Sequence, residues 1–111
     1  MLQYEISKKL YEEMKAKAAK SRIDGLQELF QTFLKTAVRY ANTRTDWSFM
    51  SRAEQIEADR SRTIKHDSVI SLLTAVCRNL EIDGVEELLP DRKTKGDFAC
   101  FIALFLALEQ R

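Results

Sequence analysis

The chain has 111 residues, enough to bury one hydrophobic core in a single domain spanning residues 1–111. Its residues are 45% hydrophobic and 32% charged, as in ordinary soluble globular proteins, and the net charge of +1 gives no general attraction to nucleic acid or membranes. Three glycines and one proline are too few for the many turns of a β-protein, so the composition predicts long helices.

Two amphipathic helices are predicted in the first 42 residues. The first runs from about Tyr4 to Ser21, where Ile6 and Leu10 begin a series of apolar residues at every fourth position. The second runs from Leu26 to about Asn42, and its apolar residues follow the 3.6-residue period almost throughout. Asp24, in the connection, is expected to cap this second helix.

A third helix is predicted to begin after Ser51, which forms a capping box with Glu54. It continues to about Glu81, with a break near residues 65–68 as the alternative. The connector before it contains Trp47, for which two interpretations stay open. Trp47 either plugs the end of the bundle or serves as an anchor for a partner protein.

The last third of the chain contains a short fourth helix and a long apolar one. Ile82-Asp83-Gly84 repeats the Ile-Asp-Gly of residues 23–25, so the same helix-to-helix corner is expected twice. Pro90 ends the fourth helix, residues 91–96 form a charged loop, and Asp97 caps a last helix from Phe98 to about Gln110.

This last helix is apolar on nearly every side. Such a helix belongs in the middle of a bundle or against a partner subunit. Its aromatic residues are therefore interface candidates together with Trp47, and they are Phe98, Phe101 and Phe105. The sequence thus predicts an all-α protein, a compact bundle of four to five helices that forms a homodimer.

The cysteines and the apolar runs predict a soluble cytoplasmic protein. Cys77 and Cys100 each lie in an apolar helical pattern, which is typical of buried free thiols, and no Cys/His spacing for a metal is present. The longest apolar run, residues 98–108, is too short to span a bilayer, and residues 1–5 lack a signal-peptide pattern. No cofactor, metal or membrane partner is expected.

Residues 57–67 form a dense charged run that holds the only histidine. On a continuous helix, Asp59, Arg62 and His66 lie on the same line as the apolar residues of segment 69–80. Buried charges need partners, so the inward charges predict either a polar network between helices or a lined pocket. Two further alternatives are that this half of the helix projects beyond the core, or that a break near His66 turns the charges outward.

These charged residues are the candidate ligand-binding site: Asp59, Arg60, Arg62 and His66. His66 could act as a general acid or base, with Asp59 fixing its tautomer and Arg62 holding an anion such as phosphate. The same residues could also bind an anion without catalysis. They could instead lock the helices together.

The run from Arg60 to His66 resembles the Arg-x4–6-His motif of HEPN-type ribonucleases, which are small, all-helical and act as dimers. This resemblance implies that Arg60 and His66 cut RNA across a dimer interface. The run Asp59-Arg60-x-Arg62-Thr63-x-x-His66-Asp67 also resembles small uncharacterised helical proteins of bacteria, which imply no function.

The leading functional hypothesis is a non-enzymatic interaction or regulatory module that self-associates. The alternative is an anion-handling enzyme such as a HEPN-like RNase. Nucleic-acid binding by the lysine-rich first helix is a third hypothesis, against which the near-neutral net charge argues.

Overall fold

A computed structural model describes residues 2–43 and 50–110, and it contains five α-helices and no strand in those ranges. They are α1 (Gln3–Lys20), α2 (Leu26–Ala41), α3 (Arg52–Asn79), α4 (Val85–Leu88) and α5 (Arg92–Glu109). The prediction of an all-α bundle of four to five helices is confirmed. Trp47, a predicted interface residue, lies outside the described residues.

The third helix is continuous over 28 residues and has no break at residues 65–68. It begins at the predicted capping box, in which the Glu54 amide donates to Ser51 Oγ at 3.2 Å. In return the Ser51 amide donates to the Glu54 carboxylate at 3.4 Å. Because α3 is continuous, its charged and apolar halves share one helical face.

The glycines of the two Ile-Asp-Gly corners adopt the same backbone conformation. Gly25 and Gly84 both have φ of +79° and occupy the N-cap positions of α2 and α4. This left-handed conformation is easy only for glycine. The expectation that Asp24 caps α2 was wrong, because the glycine takes the N-cap position and no side chain caps the helix there.

The last helix begins at Arg92, six residues earlier than expected, so the prediction of a charged loop at residues 91–96 was wrong. Asp91 caps α5, with its carboxylate accepting from the Thr94 amide at 2.8 Å, while Thr94 Oγ1 accepts from the Asp91 amide at 3.2 Å. Asp97, the expected cap, lies inside the helix and pairs with Lys93 at 3.5 Å. The pKa of Asp91 is lowered, chiefly by the hydrogen bond from the Thr94 amide.

Lys95 is buried, although the sequence suggested a solvated loop residue. Its ammonium group donates to the Leu89 carbonyl at 2.7 Å and pairs with Glu86 at 3.4 Å. The charge therefore satisfies a backbone carbonyl at the end of α4 while the aliphatic stem is covered. This contact fastens α4 to the first turn of α5.

The core lies around α5, which packs against α1, α2 and α3. Phe98 and Ile102 are fully buried, and the Phe98 ring centroid lies 6.5 Å from that of Phe33 on α2. Cys77 is also buried, which raises the pKa of its thiol to about 11. No helix in the described ranges has the length and hydropathy needed to cross a membrane.

Candidate functional site

Two of the predicted site residues, Arg62 and His66, meet on the side chain of Tyr40. They lie one turn apart on α3 and both face the end of α2. The Arg62 guanidinium donates to Tyr40 Oη at 3.3 Å, and its central carbon lies 5.1 Å from the tyrosine ring centroid. The imidazole of His66 stacks on the same tyrosine, with ring centroids 5.0 Å apart and planes inclined by 22°.

His66 also joins α3 to the start of α5. Its Nε2 lies 2.8 Å from the carbonyl oxygen of Arg92. Because a carbonyl only accepts, Nε2 must carry the hydrogen and donate it. The neighbouring Asp67 forms an ion pair with the Arg92 guanidinium.

Gly96 makes this close packing possible. A Cβ atom at position 96 would lie 2.9 Å from Tyr40 Oη and 3.1 Å from His66 Nε2. We name Tyr40, Arg62, His66, Arg92 and Gly96 the Tyr40 cluster. It is the point where α2, α3 and α5 meet, and its contacts are those of a polar network between helices.

The other two predicted site residues lie apart from the Tyr40 cluster. Asp59 is exposed and borders a shallow groove with Arg52 and Ile56, and its backbone carbonyl accepts from Thr63. Asp59 is about 10 Å further along the helix axis than His66. Since His66 already faces the first residue of α5, α5 does not extend far enough to cover Asp59.

Arg60 points away from the cluster. It forms an exposed ion pair with Glu57 at 3.9 Å. Arg60 and His66 are therefore not brought together on this chain, whereas Arg62 and His66 are. An exposed pair of this kind contributes little to stability.

Sequence reasoning missed Tyr40, Arg92 and Gly96 as partners of His66. Tyr40 lies 26 residues before His66 in the chain, and Arg92 was assigned to a loop. The one local signal was an aromatic residue with a polar tip in the last turn of α2, whose hydroxyl needs a hydrogen-bond partner when buried. Nothing in that signal identified which helix would supply the partner.

A second feature is an apolar surface formed by α1 and α5. Phe98 and Phe105 are buried in the core, so of the predicted interface residues on α5 only Phe101 reaches the surface, where it is half-buried. Beside it Leu104 is 44% exposed and Leu108 is 45% exposed.

Tyr4 of α1 extends this surface. Its ring packs edge-on against Phe101 and Phe105, with centroids 5.6 and 5.5 Å apart, and the residue is 37% exposed. We name Tyr4, Phe101, Leu104 and Leu108 the α1/α5 patch. On α5 the three members are spaced i, i+3 and i+7, which places them on one helical stripe.

A hydrogen-bonded tie borders the α1/α5 patch. Tyr11 Oη donates to the Glu109 carboxylate at 3.1 Å, and Lys15 pairs with the same carboxylate at 2.7 Å. Burial, and then the hydrogen bond to Glu109, raise the pKa of Tyr11 to about 12. The hydrogen bond from Lys15 is the main cause of the lowered pKa of Glu109.

Within residues 2–43 and 50–110, no group of three or more His, Cys, Asp or Glu side chains is arranged to hold a metal ion. Comparison with known proteins found no protein-family model, no curated protein and no solved structure that matches this chain. The functional argument therefore depends on the residues themselves.

Proposed function

We propose that this protein is a non-enzymatic interaction module that forms a homodimer through the α1/α5 patch. The observation that carries the proposal is the exposed apolar stripe of α5, with Leu104 and Leu108 each more than two-fifths exposed. A contiguous patch of large apolar side chains is unfavourable in water and is typical of protein contact sites. Burial of these leucines in a dimer would supply the driving force.

The patch suits contact with a second copy of itself. Two-fold dimers bury the same surface of both subunits, and they are the commonest assemblies. The groove between α1 and α5 is bordered by Lys8, Glu12 and Glu109, and the Glu109 carboxylate is paired with Lys15. A surface with both signs at its border can face its own copy without net repulsion.

The test is the mass in solution of wild type and of the double variant Leu104→Glu/Leu108→Glu. Wild type is expected to be dimeric by light scattering after size exclusion. The double variant is expected to raise the dissociation constant at least about tenfold, because each subunit would bury two unpaired carboxylates.

A matched control comes from α3, where Ile56 and Ile64 are 54% and 60% exposed. Ile56→Glu/Ile64→Glu makes the same kind of change outside the α1/α5 patch and is expected to leave the dimer intact. A wild-type protein that stays monomeric at its highest soluble concentration would refute the proposal. If the α3 variant were monomeric and the α5 variant remained dimeric, the dimer interface would lie outside the α1/α5 patch.

The alternative function, an anion-handling enzyme such as a HEPN-like RNase, stays a prediction. Its strongest support is that Arg62 and His66 contact one tyrosine. Against it, Nε2 of His66 is engaged by a backbone carbonyl and Arg60 lies on another face. An NMR experiment at constant pH, in which the imidazole signals of His66 are followed while inorganic phosphate or a short RNA is added, distinguishes this alternative from the interaction module. We expect neither ligand to move these signals.

A further inference from the structure

A second groove lies between α2 and α5, with a volume of about 380 Å³. Its apolar part is formed by Leu34, Val38 and Leu106, of which Leu34 is buried and the other two are half-buried. Lys35 and Arg39 of α2 stand at its edge with their side chains exposed. The groove therefore combines an apolar floor with a cationic edge.

The two cations have no counter-charge in the described part of the chain. Neither Lys35 nor Arg39 belongs to an ion pair there, and no carboxylate lines the groove. They are also neighbours at i and i+4 on α2, a spacing at which like charges repel. The positions three and four residues away from either cation hold no acidic residue that could offset this repulsion.

The helix dipole accounts for only one of these charges. Arg39 lies in the last turn of α2, where the carbonyl end of the helix favours a cation. Lys35 lies more than a turn before it, where this effect has faded. An anion held between both side chains would relieve the repulsion and gain charge-assisted hydrogen bonds.

We infer that this groove binds a small amphiphilic carboxylate, with the carboxylate between Lys35 and Arg39 and an aliphatic tail on Leu34, Val38 and Leu106. The volume is at the lower end of the range for small-molecule sites, and the apolar lining with a few polar groups is typical of them. A folded partner segment would need a larger contact area.

The site is separate from the proposed dimer surface. Leu106 is two residues from Leu104, so the two side chains point about 160° apart around α5. A dimer formed through the α1/α5 patch would leave the groove open. Carboxylate binding and dimerisation can therefore fail independently of each other.

The experiment is an NMR titration of the ¹⁵N-labelled full chain with octanoate, octanol and octylammonium. These probes share the tail and differ in the head group. Octanoate is expected to give saturable shifts at the amides of Lys35, Val38, Arg39 and Leu106, octanol weaker shifts, and octylammonium none at these positions. Equal binding of all three probes, or shifts confined to the α1/α5 patch, would overturn the inference.

The variant Lys35→Gln/Arg39→Gln is expected to raise the octanoate dissociation constant at least about tenfold, since it removes both charged contacts. Lys9→Gln/Lys20→Gln on α1 is the matched control, because it removes the same charge from two exposed residues outside any ion pair of the described chain. Equal loss in both variants would mean that only net charge matters and would also overturn the inference. The comparison of the three probes on wild type remains decisive if either variant fails to fold.

Discussion

At the scale of single residues, the Tyr40 cluster shows that a glycine can be required by its neighbours rather than by its own backbone angles. Gly96 is inside α5, where alanine would ordinarily be the better helix former. Its missing Cβ leaves room for Tyr40 Oη and His66 Nε2. The cluster therefore depends on one absent methyl group.

We predict that Gly96→Ala destabilises the protein by about 1–2 kcal/mol. The methyl group would meet two buried or half-buried side chains, and overpacking of this kind costs about 1–3 kcal/mol. The gain in helix propensity, up to about 1 kcal/mol, offsets part of that cost. Urea denaturation followed by circular dichroism measures the difference.

The double-mutant cycle with Tyr40→Phe identifies the cause. Removing Tyr40 Oη eliminates the shorter of the two contacts, so Gly96→Ala should cost at least about 0.5 kcal/mol less in that background. Equal cost in both backgrounds would show that the hydroxyl is not the obstacle.

At the scale of helices, the two capping boxes differ in how visible they are in the sequence. Ser51 with Glu54 is the usual pattern and predicted the start of α3. Asp91 with Thr94 does the same for α5, but it uses Thr where the usual pattern has Glu or Gln. Asp97, next to the apolar run, was predicted to be the cap of the last helix, and that prediction was wrong.

We predict that Asp91→Ala lowers the midpoint of urea denaturation at pH 7 more than Asp97→Ala does. The Asp91 carboxylate accepts the Thr94 amide, whereas Asp97 only pairs with an exposed lysine. A larger effect of Asp97→Ala would place the start of the helix near residue 97.

The difference in stability between wild type and Asp91→Ala has a defined pH dependence. The folded-state pKa of Asp91 is lowered, so its contribution is present above the ordinary aspartate pKa of about 3.9. It is lost as the pH falls through the lowered value. The difference between wild type and Asp91→Ala should therefore shrink in acid, and a difference that grows there would contradict the capping role.

At the scale of the whole molecule, the tie between Tyr11 and Glu109 closes the bundle by joining the first helix to the last. The two residues are 98 positions apart in sequence. Tyr11 is buried and stacks on Phe105, with ring centroids 5.5 Å apart. Its hydroxyl is thus the polar end of an otherwise apolar contact between α1 and α5.

We predict that wild type loses stability more steeply than Tyr11→Phe between pH 10 and 12. The folded-state pKa of Tyr11 is raised from 10 to about 12, so the folded state keeps its proton while the unfolded chain releases it. The contribution of the Tyr11 hydroxyl to the free energy of unfolding is fully present below pH 10 and is lost as the pH approaches 12. Urea titrations at several alkaline pH values measure the two slopes.

Tyr4→Phe is the control for this prediction, because Tyr4 lies in the α1/α5 patch and takes no part in the tie. The stability of Tyr4→Phe should fall between pH 10 and 12 as steeply as that of wild type. If wild type and Tyr11→Phe lose stability equally steeply with rising pH, the hydrogen bond to Glu109 does not keep the Tyr11 hydroxyl protonated.

The sequence by itself determined the helical class and most helix limits, because apolar periodicity, capping residues and glycine corners act within a few neighbouring residues. It also placed Arg62 and His66 on the inward face of α3, since a helix fixes the angle between its side chains. These relations are local, and they need no knowledge of the other helices.

The tertiary structure decided which inward charges are covered. The start of α5 lies opposite His66, so His66 is half-buried while Asp59, on nearly the same line, remains exposed. It likewise decided that Lys95 is buried and that Leu104 and Leu108 are left at the surface. Burial depends on where other helices end. The contacts that decide it join residues far apart in the chain, so the pattern of neighbouring residues does not predict them.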